Sequence, residues 1–179
     1  MNELNNINIF LSGPIDRVED DGVGWRKEIK KEINKIGFDV NFFDPTNKPE
    51  GLGSEIGIEK IKLKKLISQG KWDEAKKFVK KFRRYDLRGV DWCDLFIIYI
   101  DINVHMCGSY NEYNTAERQN KPIFVIMGEG QDKTQIPGWL IASLNHYEIF
   151  NNISECVNYI KKINNEQIEM DNRWVIINN

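Results

Sequence analysis

Histidine is scarce in this chain: only His105 and His146 occur among 179 residues. A multi-histidine metal site or a histidine-centred triad is therefore a poor starting assumption. Cysteine is nearly as rare. Cys93, Cys107 and Cys156 have no framework spacing, and an odd, sparse set suits a reducing cytoplasm. A metal site on His105 and Cys107 would lack two further ligands in sequence reach. The net charge is only −2, so no global field singles out nucleic acid or a membrane. No apolar run approaches a membrane span. The opening MNELNNINIFLSG lacks the basic flank and long apolar stretch of a secretory signal. Repeats and low-complexity linkers are also missing, and the length suits a single domain, 1–179. The expectation is a cytoplasmic protein with no membrane or nucleic-acid partner.

What the sequence does contain is alternation. Apolar runs at 7–12 (INIFLS), 38–43 (FDVNFF), 94–100 (DLFIIYI) and 122–127 (PIFVIM) read as strands, with HYEIF (146–150) a fifth and RWVII (173–177) a possible edge strand. Between the first two, Trp25, Ile29, Ile33 and Ile36 recur at helical spacing, and Gly37 is a good stop. ISECVNYIKKI (153–163) is amphipathic. Such alternation predicts an α/β domain: a doubly wound, mainly parallel five-stranded sheet of flavodoxin-like or Rossmann-like type. The near-continuous apolar strands at 95–100 and 123–127 suit a sheet covered on both faces.

From 54 to about 84 the pattern is helical and basic, with Gly70 dividing two helices and YDLRGVDWC following as a further short one. Residues 54–88 carry 12 Lys and Arg against 5 acidic residues. Their aromatics fall at helix-like spacing rather than in the interleaved pattern of a single-strand binder. This basic helical insertion reads as a solvated lid, with phosphate recognition as the useful hypothesis.

In parallel α/β sheets, ligands sit beyond the carboxyl ends of the strands. Four segments converge there: Gly13 to Arg17, Asp44 to Lys48, Asp101 to Glu112, and Met127 onward. The stretch CGSYNEYNTAERQNKP (107–122) places Glu112 in the expected first turn of a helix. The helix dipole there favours an ionised carboxylate, available as a nucleophile. Gly108-Ser109 allows close backbone approach to an anion or a sugar hydroxyl. On spacing alone, Ser109-x-x-Glu112 is equally a capping box. In DLRGVDWCD, Asp94 reads as a cap of the preceding helix, whereas Asp86 can turn into the cleft. Two carboxylates from separate segments facing one cleft are what glycosyl chemistry requires. Asp44 is either a turn-former before Pro45 or a ligand contact. His105 is either a solvated loop residue or an acid/base group.

These same segments carry a family resemblance. FLSGPI (10–15), FDP (43–45), DLRGVDWCDLFIIYI (86–100) and GSYNEYNTAERQNKPIFVI (108–126) resemble the nucleoside 2-deoxyribosyltransferase family, which includes the deoxynucleoside 5′-monophosphate N-hydrolases. The resemblance implies a doubly wound fold and cleavage or transfer at the N-glycosidic bond of a 2′-deoxynucleoside or its 5′-monophosphate. It gives Glu112 the role of nucleophile on the anomeric carbon and Asp86 that of the residue contacting or protonating the base. Ser12, Gly13, Pro14, Ile15, Asp44, Asp101, His105, Gly108 and Ser109 are the candidate substrate contacts. It implies no cofactor and no metal, a small-molecule nucleoside or nucleotide as partner, and a homo-oligomer. The chain departs from the family pattern at Phe10, where a tyrosine is common, at DINVHMCGS (101–109), and in the insertion.

Overall fold

The structure, a computed structural model, describes residues 4–49 and 51–176. Five strands form one parallel sheet: β1 (Ile7–Ser12), β2 (Val40–Phe43), β3 (Leu95–Ile100), β4 (Ile123–Met127) and β5 (Ile149–Phe150). Their spatial order is β2-β1-β3-β4-β5 and every pairing is parallel. The order reverses between β1 and β3, so the carboxyl ends of these two strands open a crevice.

Among the described residues, five α-helices complete the fold: α1 (Val23–Asn34), α2 (Gly57–Ser68), α3 (Trp72–Trp92), α4 (Cys107–Arg118) and α5 (Ile153–Asn164). Each strand alternates its side chains between two cores. On one face Ile9, Leu11, Ile97 and Phe124 meet Trp25, Ile29 and Ile33 of α1 and Cys156 and Ile160 of α5. On the other face Phe10, Phe96, Ile98 and Val125 meet Val90 of α3 and Tyr113 and Ala116 of α4. The sheet is thus doubly wound, as its apolar strands predict. No helix of the described residues is long and apolar enough to cross a membrane.

Several boundaries differ from expectation. YDLRGVDWC is not a separate helix, because α3 runs unbroken for 21 residues to Trp92. No proline interrupts it, and Gly89 serves packing rather than termination. A Cβ on Gly89 would lie 2.6 Å from the Phe43 ring. That ring is itself packed against Phe10 and Tyr85, with centroids 5.0 Å apart in both pairs. Gly89→Ala is therefore expected to cost about 1–3 kcal/mol, read as a lower denaturation midpoint at unchanged m-value. An unchanged midpoint would show that Phe43 yields freely.

Asp94 does not cap α3. Its Oδ2 accepts from the Asn8 backbone N–H at 2.7 Å and from Asn8 Nδ2 at 3.0 Å, joining the start of β1 to that of β3. The fifth strand is shorter than HYEIF, since His146–Glu148 forms a 3-10 turn. Glu148 is buried there and paired with Arg173. Residues 173–176 form no strand, and Ile177 lies outside the described residues. Trp174 instead packs edge-on against Phe124.

Candidate active site

The site begins with the sharp exit from β1. Arg26, one turn ahead of Ile29 and two ahead of Ile33, lies on the apolar face of α1 and is fully buried. Its guanidinium donates to the carbonyls of Leu11 (3.2 Å), Gly13 (3.0 Å), Pro14 (3.4 Å) and Gly22 (2.7 Å). Burial lowers its pKa to about 10, opposed chiefly by Asp44, so it remains a cation at neutral pH. One rigid fork therefore fixes the path of Ser12–Gly13–Pro14. Gly13 is required because a Cβ would lie 2.8 Å from the Trp25 ring.

That path carries Ser12 to Glu112. Ser12 Oγ donates to Glu112 Oε2 at 2.6 Å, across 100 residues of sequence. Glu112 is not in the first turn of its helix. Helix α4 starts at Cys107 with Met106 as its N-cap, which leaves Glu112 a turn deeper and Ser109 already helical. The capping-box alternative is thereby removed. The expectation of a readily ionised carboxylate also changes. Burial pushes the Glu112 pKa up to about 8, against the Ser12 hydrogen bond and Arg26, with Asp86 and Glu55 adding to the rise.

Glu112 stands between two lobes of one cleft and lines both. The first lobe, about 320 Å³, is bounded by Gly13, Pro14 and Ile15 on one side and His105, Gly108 and Ser109 on the other, with Arg17 and Arg26 as its cations. The second, about 350 Å³, lies against α3, where Val79, Phe82 and Leu87 give it an apolar wall. Asp86 lines this second lobe. Its Oδ2 accepts from Lys48 Nζ at 2.7 Å, and both side chains are nearly sealed, at 2% and 6% exposure. The Lys48 ammonium lies over the Phe82 ring, 5.2 Å from its centroid. Burial raises the Asp86 pKa in spite of Lys48. Asp86 Oδ1 is buried without a hydrogen-bond partner.

The remaining candidate contacts divide. Gly13, Pro14, Ile15, His105, Gly108 and Ser109 share the first lobe, and Ser12 reaches it through Glu112. Asp44 does not line either lobe. Its carboxylate is buried and taken up by Lys30 (2.6 Å) and by the Thr46 backbone N–H and hydroxyl, with Arg26 3.6 Å away. Burial raises its pKa, but these partners outweigh it and the net shift is downward. Asp44 therefore buttresses the loop rather than facing the cleft. Asp101 lies in a separate cavity with Tyr99 and Glu129. There it accepts from Gln131 Nε2 at 2.7 Å and from the Asn103 backbone N–H at 2.9 Å.

Three site residues escape the sequence reading: Arg26, Lys48 and Glu55. Arg26 was detectable as a charge on the apolar face of an amphipathic helix. Lys48 lies in the loop between β2 and α2, where no periodicity assigns a direction to a side chain, and Glu55, expected in a helix from residue 54, falls in the same loop because α2 begins only at Gly57. Glu55 lines both lobes, and burial raises its pKa against the pull of Lys48.

No protein-family model matches the chain, and no curated protein matches it in sequence. Solved structures do resemble it. A 2-deoxyribosyltransferase from the psychrotolerant bacterium Bacillus psychrosaccharolyticus superposes with a TM-score of 0.56 at 19% identity, over 85% of this chain and 91% of that one. A conserved protein from Enterococcus faecalis V583 gives 0.54 at 12% identity, over 88% and 98%. The CMP N-glycosidase of Clostridium botulinum overlaps more loosely, at 0.43 and 17% identity over 86% and 97%. The chain has the doubly wound α/β fold of the B. psychrosaccharolyticus 2-deoxyribosyltransferase.

Proposed function

We propose that the protein belongs to the nucleoside 2-deoxyribosyltransferase family and cleaves or exchanges the N-glycosidic bond of a 2′-deoxynucleoside or its 5′-monophosphate. The observation that carries this reading is the position of Glu112. Its carboxyl is held by Ser12 at the junction of two lobes, and Asp86 lines one of them. A ligand that fills both lobes must pass its central atoms over Glu112.

In this reading the sugar occupies the first lobe, where the Gly108-Ser109 turn and Arg17 offer donors to hydroxyl or phosphate oxygens. Glu112 attacks the anomeric carbon as the C1′–N bond breaks. The bonding pair leaves with the base, and the Lys48–Asp86 pair supplies the proton that neutralises it. An acceptor then attacks the glycosyl ester, its proton returns to that pair, and the Glu112 carboxylate is restored. Water as acceptor makes the protein a hydrolase, and a second base makes it a transferase. Arg26 acts at one remove, by holding the loop that presents Ser12. A homo-oligomeric assembly, as the resemblance implies, belongs to the same proposal.

The test is chromatography of deoxynucleosides and deoxynucleoside 5′-monophosphates after incubation, with and without an added free base. Released base identifies hydrolysis, and an exchanged base identifies transfer. Intact substrate in every combination would overturn the reading.

A further inference from the structure

Charge is unevenly placed in this chain. Residues 57–84, all of α2 and most of α3, hold 11 Lys and Arg against 3 acidic residues, a net +8. The rest of the chain therefore carries −10, and the overall −2 conceals both. All of these cations except Lys60 are exposed. Among the described residues only Lys60 and Lys71 of this set are ion-paired. Exposed apolar side chains stand among them. Helix α2 buries none of its residues. It rests on α3, with Leu63 and Leu66 half-buried on that side. Ile58 and Ile61, one turn apart on the other side, are 84% and 68% exposed, and Lys64 and Lys65 flank them. Trp72, at the turn into α3, is 65% exposed. Large aliphatic and indole groups left open on one hairpin mark a contact surface.

We propose that the α2–α3 hairpin is a docking surface for anionic lipid bilayers, with Ile58, Ile61 and Trp72 entering the headgroup boundary and the surrounding lysines pairing with lipid phosphates. The chemistry of the face selects this occupant. A second copy meeting it symmetrically would set +8 against +8. Nucleic acid would match the charge but offers no apolar partner to Ile58 and Ile61. The stacking platform it would use is not presented either, since Phe78 and Tyr85 are half-buried and Phe82 is buried. An anionic bilayer answers both features at once: acyl chains receive the isoleucines, the indole sits at the boundary, and long lysine stems reach up to phosphate. The expectation of no membrane partner rested on whole-chain charge and on the lack of a span, and neither bears on a peripheral contact. Glu55 directly precedes α2, and α3 walls the second lobe, so docking would set the cleft beside the membrane. The inference stands apart from the proposed reaction and does not depend on it.

The experiment is co-sedimentation of the full chain with vesicles of phosphatidylcholine alone, and of phosphatidylcholine and phosphatidylglycerol in equal parts, at about 0.1 M salt. The expected result is binding about tenfold or more tighter to the anionic vesicles. Changing Ile58→Gln and Ile61→Gln together leaves the charge untouched and should weaken that binding by about tenfold. Both side chains are exposed, so the double variant should keep the parent's melting temperature. A second readout is tryptophan emission, which should shift to the blue on anionic vesicles in the parent and not in Trp72→Phe. No binding to either vesicle, or equal binding to both, would overturn the inference. So would anionic binding that the isoleucine variant retains in full. Single-stranded DNA that binds more tightly than the vesicles, and is indifferent to the isoleucine changes, would assign the face to nucleic acid instead.

Discussion

Glu112→Gln is expected to lower base release by about 10³-fold or more and, at the same time, to make the protein more stable. The first effect follows from removing the proposed nucleophile, since an amide oxygen cannot form the glycosyl ester. The second follows from the cost of keeping a carboxyl at this position. An unperturbed glutamate titrates at 4.5, whereas burial raises folded Glu112 to about 8. Between these values the unfolded chain is ionised at this residue and the folded chain is not. The folded state therefore binds more protons, and stability falls as pH rises from about 4.5 to about 8. Glutamine keeps the acceptor for Ser12 and carries no ionisation cost. Its advantage should be absent near pH 4, grow through neutrality and level off above pH 8. It should reach about 2–4 kcal/mol, or roughly 5–12 °C in melting temperature. Melting curves of both proteins from pH 4 to 9 check this, and parallel curves would contradict it.

The same titration sets the rate profile expected of the unaltered protein under the proposed reaction. At pH 7 only about a tenth of the molecules carry an ionised Glu112. The groups facing it are Ser12 from β1, Arg26 from α1, Glu55 from the loop before α2 and Asp86 from α3. Among these, Arg26 remains a cation throughout the range. The value of kcat/KM should climb with pH until about 8, because it reports the free enzyme. A profile flat from pH 6 to 8 would remove Glu112 as the ionising nucleophile.

Lys48→Met is expected to be among the most damaging substitutions to stability. Lys48 and Asp86 are both nearly sealed from solvent, and losing one partner leaves the other charge buried alone. Such breaks cost about 3–5 kcal/mol at neutral pH, although replacing both partners can be nearly neutral. The pH dependence distinguishes this cause from lost packing. Without Lys48, the folded Asp86 pKa rises further above its unfolded value of 3.8. The cost should then be small near pH 4 and grow as pH rises. Adding Asp86→Asn should recover a large part of the loss at pH 8 and little at pH 4. Denaturant titrations of the two single variants and the double variant at both pH values measure this. A loss independent of pH, with no recovery in the double variant, would assign the damage to packing over Phe82.

The sequence by itself determined the architecture and pointed to the general place of the candidate site. Apolar runs at β3 and β4, the helical period Trp25–Ile29–Ile33 and the placement of Glu112 after a strand are local patterns. Local patterns survive in any fold that buries them. The sequence also brought Asp86 and Glu112 forward as a pair. Tertiary structure decided what these carboxyl groups are. Helix α4 begins at Cys107, so Glu112 is a half-buried acid a turn deeper than the spacing suggested. Helix α3 continues through Gly89, because Phe43 needs the missing side chain there. Asp44 and Asp101, equal to Asp86 as strand-end or cleft-edge acids on paper, are satisfied by neighbours that only folding supplies. Lys48 and Glu55 stayed hidden for the same reason. A loop residue's direction depends on long-range packing, and the groups that set Glu112's charge come from four separate segments. Burial and charge at a site are sums over distant neighbours, and no local window of sequence contains them.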